Sequence, residues 1–134
     1  MPSPDENKEI ARRWFNALNN DDVDTLTGMV DDNLIDHTPI PGQPGEGRGR
    51  EQHRRFIRGF RNAFPDWQET IDFMTAEGDR VVIHHTGRGT HQGAFMGKPP
   101  TNKQITAQAV DTIRINPDGR IVEHWGTNPW RGPV

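Results

Sequence analysis

An aspartate in the middle of an apolar row is the first residue of this chain that invites a chemical reading. Along Lys103–Asn116 the alternate positions are Ile105, Ala107, Ala109, Asp111, Ile113 and Ile115, and a strand sends such positions to one face. A carboxylate on that face must be paired, hydrogen-bonded or protonated, because an isolated buried charge is expensive. Asp111 is therefore either a site residue, or a surface Asp placed by a bulge, or a buried acid held by a simple hydrogen bond. In Arg80–His91 the apolar Val81 and Ile83 set the inner face, so His85, Gly87, Gly89 and His91 share it. The final stretch, Arg120–Thr127, has two possible phases: Ile121, Glu123 and Trp125 inward, or Val122, His124 and Gly126 inward.

The chain has six His, yet their spacing argues against a metal centre. His84 and His85 are adjacent and would point to opposite faces of a strand. No H-x-H, H-E-x-x-H or two-His-one-carboxylate spacing occurs. With no Cys, disulfides, thiolate ligands and cysteine nucleophiles are excluded.

The elements that must position these residues are readable from punctuation and period. Ser3-Pro4-Asp5-Glu6 forms a capping box with Pro at the first helical position, and Ile10, Ala11, Trp14, Phe15 and Leu18 follow at helical spacing. A shorter helix capped by Asp21 or Asp22 follows, then a short strand over Asn33–Thr38. The Pro/Gly-rich stretch Thr38–Gly49 is predicted to hold no regular structure. A third helix runs from Arg50 to Phe64, with Phe56, Ile57, Phe60, Ala63 and Phe64 as its buried stripe, and Pro65 ends it. From Trp67 the period changes to two, predicting strands over Trp67–Glu77, Arg80–His91, Lys103–Asn116 and Arg120–Thr127. Helices followed by an antiparallel sheet is an α+β pattern.

The 134 residues suit one domain, with residues 1–134 read as a single unit. Only 31% of residues are hydrophobic and the mean hydropathy is −0.90, which raises the question of disorder. The net charge is a mere −3, and disorder usually needs low hydrophobicity and high net charge together. No apolar run reaches the roughly 18 residues of a spanning helix, and no basic segment precedes an apolar one. The expectation is a cytoplasmic chain with no membrane partner.

Other features divide between structure and function. Gly93-Ala94-Phe95-Met96-Gly97 sets two large apolar side chains between glycines, as a pocket lid or as a loop fastened to core or dimer. Trp14, Phe60, Phe64, Trp125 and Trp130 are pocket walls or core. Arg48, Arg50, Arg54, Arg55, Arg58 and Arg61 make a solvated basic face or a dock for an anionic partner, such as an acyl carrier protein. Nucleic acid does not fit an acidic chain without an aromatic platform. The opposite sheet face, from Val82, His84, Thr86 and Arg88 to Thr106, Gln108, Val110 and Thr112, suits an isologous homodimer.

Several phrases of the chain resemble one family. FPDW at Phe64–Trp67, EGDRVVI at Glu77–Ile83, GTHQGAFMGKPPTNKQI at Gly89–Ile105 and DGRIVEHW at Asp118–Trp125 are similar to the SnoaL-like polyketide cyclases of the nuclear-transport-factor-2-like superfamily. The resemblance implies a cone-shaped barrel, a curved antiparallel sheet packed over about three N-terminal helices with an internal pocket. It also implies a cofactor-free enzyme that uses a pocket Asp in an intramolecular aldol closure of a bulky apolar substrate. That Asp would follow EHW directly, where this chain has Gly126. The resemblance further points to polar pocket residues at His37 and Asp111, and to Val122, His124, Gly126 and Asn128 lining the pocket.

The catalytic reading is then an acid/base dyad of Asp111 and His124, with His37 as oxyanion donor or second proton carrier. Trp14, Phe60, Phe64, His85, His91, Phe95, Met96, Trp125 and Asn128 are read as the substrate-binding set, with no metal. Three functions remain open: cyclisation or isomerisation of a polyketide-like intermediate, a hydroxylase or hydrolase acting on such a substrate, and non-catalytic binding.

Overall fold

In the computed structural model, which describes residues 2–38, 47–95 and 97–127, the chain begins with the helix that its capping box predicts. Helix α1 spans Pro4–Asn19, and Ser3 and Glu6 cap one another's backbone amides at 3.1 Å. Asp22 caps α2, Val23–Gly28, by accepting from the Thr25 amide. Helix α3 is Arg50–Ala63, ending just before Pro65.

The strands are β1 (Val30–Asp36), β2 (Gly47–Arg48), β3 (Gln68–Glu77), β4 (Arg80–Thr90), β5 (Gln104–Ile115) and β6 (Ile121–Gly126), in the sheet order β2-β1-β6-β5-β4-β3. This is the curved sheet with three helices that the resemblance implies. Three details differ from expectation, the first being that β1 pairs with β6 in parallel within an otherwise antiparallel sheet. The first strand begins at Val30 instead of Asn33, and Gly47–Arg48 pairs with Ile35–Asp36 inside a stretch from which no strand was expected. Residues 39–46 of that stretch lie outside the described residues. Among the described residues no helix is long and apolar enough to cross a membrane.

The inner face of the sheet has two apolar regions separated by a polar belt. On one side Val81, Ile83, Ile113, Ile115 and Ile121 meet Ile10, Ala11, Trp14 and Phe15 of α1. On the other, Phe60, Ala63, Phe64 and Trp67 pack with Phe95, Ile105 and Ala107. Between them lie His85, Asp111 and His124. The low apolar content therefore supports two small clusters, and charged groups hold the centre.

Arg61 fastens these layers. The residue is 8% exposed, and its guanidinium donates to the carbonyls of Leu18, Asn19 and Trp67 at 2.7–3.2 Å. It thus satisfies the open C-terminal carbonyls of α1 while tying α3 to the start of β3.

The glycines of β4 make room for an indole. Trp67 is 1% exposed, and a Cβ on Gly87 would lie 2.1 Å from its ring, one on Gly89 2.7 Å. Gly87→Ala is expected to cost ~1–3 kcal/mol through forced displacement of Trp67. Gly28→Ala, where a Cβ meets nothing within 4 Å, serves as the near-neutral control. Urea denaturation of the two variants measures the difference, and equal midpoints would reject the packing argument.

Candidate active site

Register places Asp111 midway along β5, opposite Ile83 of β4 and Gly126 of β6. Its carboxylate meets two imidazoles. His85 Nε2 donates to Asp111 Oδ2 at 2.8 Å. His124 Nε2 lies 3.3 Å from Asp111 Oδ1, an ion-pair contact without the alignment of a hydrogen bond. The far nitrogens of both rings meet further carboxylates: His85 Nδ1 donates to Glu69 Oε2 at 2.7 Å, and His124 Nδ1 to Asp36 Oδ1 at 3.0 Å. Trp67 Nε1 donates to Glu69 at one end, and the Thr38 amide donates to Asp36 at the other, both at 2.9 Å. The result is a line of alternating sign, Glu69–His85–Asp111–His124–Asp36.

That alternation fixes protonation. Burial alone would push both imidazoles down, but their carboxylate partners outweigh it, raising His124 to about 10 and His85 to about 9. Burial would likewise raise Asp111, yet His124 and His85 hold it well below the ordinary carboxylate range, and His124 and Thr38 lower Asp36. Near neutral pH Asp111 and Asp36 are therefore carboxylates, and His85 and His124 are imidazolium rings. Helix α1 covers it: the Phe15 ring stands edge-on to His85 at 4.9 Å and the Trp14 ring edge-on to His124 at 5.6 Å.

The structure thus brings together Asp111, His124, His85 and Trp14 from the sequence-predicted set. It does not bring His37. Asp36 pairs with His124 across β1 and β6, so the next residue turns to the other face. There His37 Nε2 donates to Glu123 Oε2 at 2.6 Å and its ring stacks on Trp125 at 5.0 Å. Trp125 is corrected for the same reason: it pairs with Thr112 on the outer face and lies under Arg80. Strand β6 combines both predicted phases. Its register shifts between Ile121 and Glu123, so Ile121, His124 and Gly126 all face inward.

Phe60, Phe64, Phe95 and His91 gather in the second apolar cluster, where His91 stacks on Phe64 at 5.2 Å. Met96 and Asn128 lie outside the described residues, as does Trp130. The basic run is also revised. Arg50 donates to the Val30 carbonyl, Arg54 to Thr27 and Arg61 to three backbone carbonyls. Among the described side chains, Arg55 and Arg58 are the ones left on an exposed face.

Three residues of the site escaped the sequence reading. Glu69 was accessible to it, because Trp67, Glu69 and Ile71 alternate on the inner face. His53 also left a signal, since it precedes Ile57, Phe60 and Phe64 at helical spacing. Asp36 left none, because its position depends on the parallel pairing of β1 with β6. Gly126 is explained by space: a Cβ there would lie 2.8 Å from Asp111 Oδ1 and 2.9 Å from Thr38 Oγ1. Among the described residues no group of three or more His, Asp or Glu could hold a metal ion.

Comparison with known proteins follows the same lines. Residues 8–128 match the family model described as SnoaL-like polyketide cyclase. No curated protein matches the chain. Among solved structures, AclR from Streptomyces galilaeus, a candidate hydroxylase, is 29% identical with a TM-score of 0.80 over 92% of this chain and 89% of that one. IdmH from Streptomyces antibioticus, a candidate polyketide cyclase, is 28% identical with a TM-score of 0.77 over 90% of each chain. A candidate SnoaL-like polyketide cyclase from Jannaschia sp. CCS1, 22% identical, shares the fold with a TM-score of 0.82 over 94% and 87% of the two chains.

The line of charges predicts a stability profile. Histidines of an unfolded chain titrate near 6.5, so between that pH and about 9–10 the folded state keeps protons that the unfolded state has lost. Stability from His85 and His124 is present in full below pH 6.5 and falls above it. His53, pushed down to about 4 by burial and by the His124 charge, acts oppositely and removes stability as pH falls from 6.5 toward 4. The melting temperature should peak near pH 6.5 and drop by roughly 5 °C or more by pH 9. His124→Gln should flatten the alkaline side. A profile flat from pH 6.5 to 9 in the unaltered protein would contradict the assignment.

Proposed function

The chain belongs to the SnoaL-like polyketide cyclase family, and from that premise we propose that it is a cofactor-free enzyme of polyketide or related secondary metabolism. Its reaction is acid/base cyclisation or isomerisation of a bulky apolar intermediate. The observation that carries this reading is the half-buried Asp111–His124 pair, whose acid and base forms are already separated. An aldol-type closure needs a group to take a proton from carbon next to a carbonyl, and positive charge near the oxygen where electron density collects. Asp111 is the unprotonated member and takes the first role. His124 is an imidazolium and takes the second. His85 and Asp36 hold the pair in register from either side, and Trp14 and Phe15 exclude water from it.

Gly126 distinguishes this chain from the family pattern, in which an Asp follows EHW. Asp111 Oδ1 of the neighbouring strand stands 2.8 Å from where a Cβ of residue 126 would be, which supports giving Asp111 the role of that acid. Restoring the family residue by Gly126→Asp would set two carboxylates against each other and is expected to lower both stability and activity.

A hydroxylase reading is favoured by one comparison, the 29% identity to AclR. Product mass separates the readings: isomerisation leaves mass unchanged, aldol closure with dehydration loses one water, hydroxylation adds one oxygen and hydrolysis adds one water. The test is mass spectrometry of a panel of poly-β-ketone esters and partly cyclised aromatic esters, incubated with the protein. The expectation is an isomerised or dehydrated product, with Asp111→Asn and His124→Gln each slowing its formation ~10²-fold or more. Undiminished turnover by Asp111→Asn would sink the proposed mechanism.

The same reading includes a homodimer through the outer face of the sheet. Phe73, 58% exposed, is the one exposed large apolar side chain among the described residues, and it stacks on His84 at 4.1 Å. A twofold axis there would bury Phe73 against its copy. Size-exclusion chromatography should give a dimer at micromolar concentration and a monomer for Phe73→Asp. A monomer before substitution would end the proposal.

A further inference from the structure

His53 takes no part in the line of charges, yet it is buried beside it. The residue is 8% exposed and sits on the inward side of α3. Its ring stacks on Trp14 with centroids 6.0 Å apart and planes 21° from parallel, and Trp14 in turn touches His124 edge-on. His53 also feels the charges of His124, Asp36 and Asp111. Both His53 Nε2 and Trp14 Nε1 are buried without a hydrogen-bond partner. Buried polar atoms are nearly always partnered, and each exception calls for a reason. Two exceptions on adjacent rings, at the edge of the charged pair, call for one common reason.

The two nitrogens specify which polar group of a ligand would complete them. An indole N–H can only donate, whereas a neutral imidazole with its proton on Nδ1 offers a lone pair at Nε2. Burial first, and then the nearby His124 charge, keep His53 neutral at any pH well above about 4. A donor and an acceptor together match a hydroxyl, which accepts through its oxygen and donates through its hydrogen. A carboxylate would leave the imidazole lone pair unmatched, and an ammonium would leave the indole N–H unmatched. The flat aromatic surroundings favour a hydroxyl carried on a planar system.

We propose that His53 Nε2 and Trp14 Nε1 form a hydroxyl-recognising subsite, which takes a phenol or enol hydroxyl of the substrate and sets it beside the Asp111–His124 pair. This rests on the active-site reading given above and names the functional group that the site selects. His53 acts as a positioning and specificity residue, and the subsite is independent of which group moves the proton.

Binding of 2-naphthol and of naphthalene, which differ by one hydroxyl, tests it without knowledge of the substrate. The unaltered protein should bind 2-naphthol about tenfold more tightly, the effect of one net hydrogen bond of ordinary strength. His53→Phe and Trp14→Phe should each bring the ratio close to one, while His53→Gln, which keeps an acceptor, retains part of it. In nitrogen NMR the His53 ring signals should shift with 2-naphthol and stay in place with naphthalene. Circular dichroism checks that each variant is folded. If His53→Phe does not fold, His53→Gln and the NMR shift decide. A full hydroxyl preference in the His53 variants, with unmoved His53 signals, would overturn the subsite while leaving the catalytic pair standing. Failure of both probes to bind the unaltered protein would overturn the subsite.

Discussion

One requirement organises the interior: Asp111 must stay charged while withdrawn from water. A lone carboxylate there would take up a proton, and a single imidazole would leave half of it unsatisfied. Two imidazoles flank it, one from each neighbouring strand. Each imidazolium then needs a second acceptor, which Glu69 and Asp36 supply, and those acids are finished by Trp67 and the Thr38 amide. Along the alternating line every charged group has a group of opposite sign beside it. Glycine at 126 belongs to the same solution, because a Cβ would enter the space held by Asp111 and Thr38.

The line also decides how the rest of the chain packs. It crosses the sheet, so the apolar residues divide into an aliphatic cluster under α1 and an aromatic one under α3. Trp67 joins the two regions. Its ring fills the groove over Gly87 and Gly89, and its N–H closes the Glu69 end of the line. Local packing and electrostatics are thus tied through one indole, and a chain with few apolar residues gains cohesion from the hydrogen-bonded charges of this line.

Most of the architecture is legible in the sequence, because it rests on local signals. Capping at Ser3, the halt at Pro65 and the change of period at Trp67 are properties of a few adjacent residues. Alternation was also enough to place Asp111 and His85 on one face. It failed where a face depends on a partner strand. His37 and Asp36 differ by one position, and the pairing of β1 with β6 alone puts Asp36 inward. In β6 the irregular register near Val122 lets Ile121 and His124 face the same side, which no strict period of two can express. His53 was legible in principle as the head of the α3 stripe, and its polarity concealed it among apolar neighbours.

On the proposed reading, the same electrostatics constrain the chemistry. A histidine held by one carboxylate is a stronger base, but one held between two carboxylates is a settled cation. His124 is of the second kind, so a mechanism in which it begins by removing a proton works against its surroundings. Two unprotonated groups stand beside it: Asp111, whose partners stabilise its charge, and His53, whose burial disfavours charge. Substrate binding alters this balance if a developing enolate competes with Asp111 for the His124 charge, because Asp111 then loses part of its own stabilisation and becomes the better base. Acid and base are coupled through one shared imidazolium, and the charge that quiets the carboxylate at rest is the charge that the transition state draws upon.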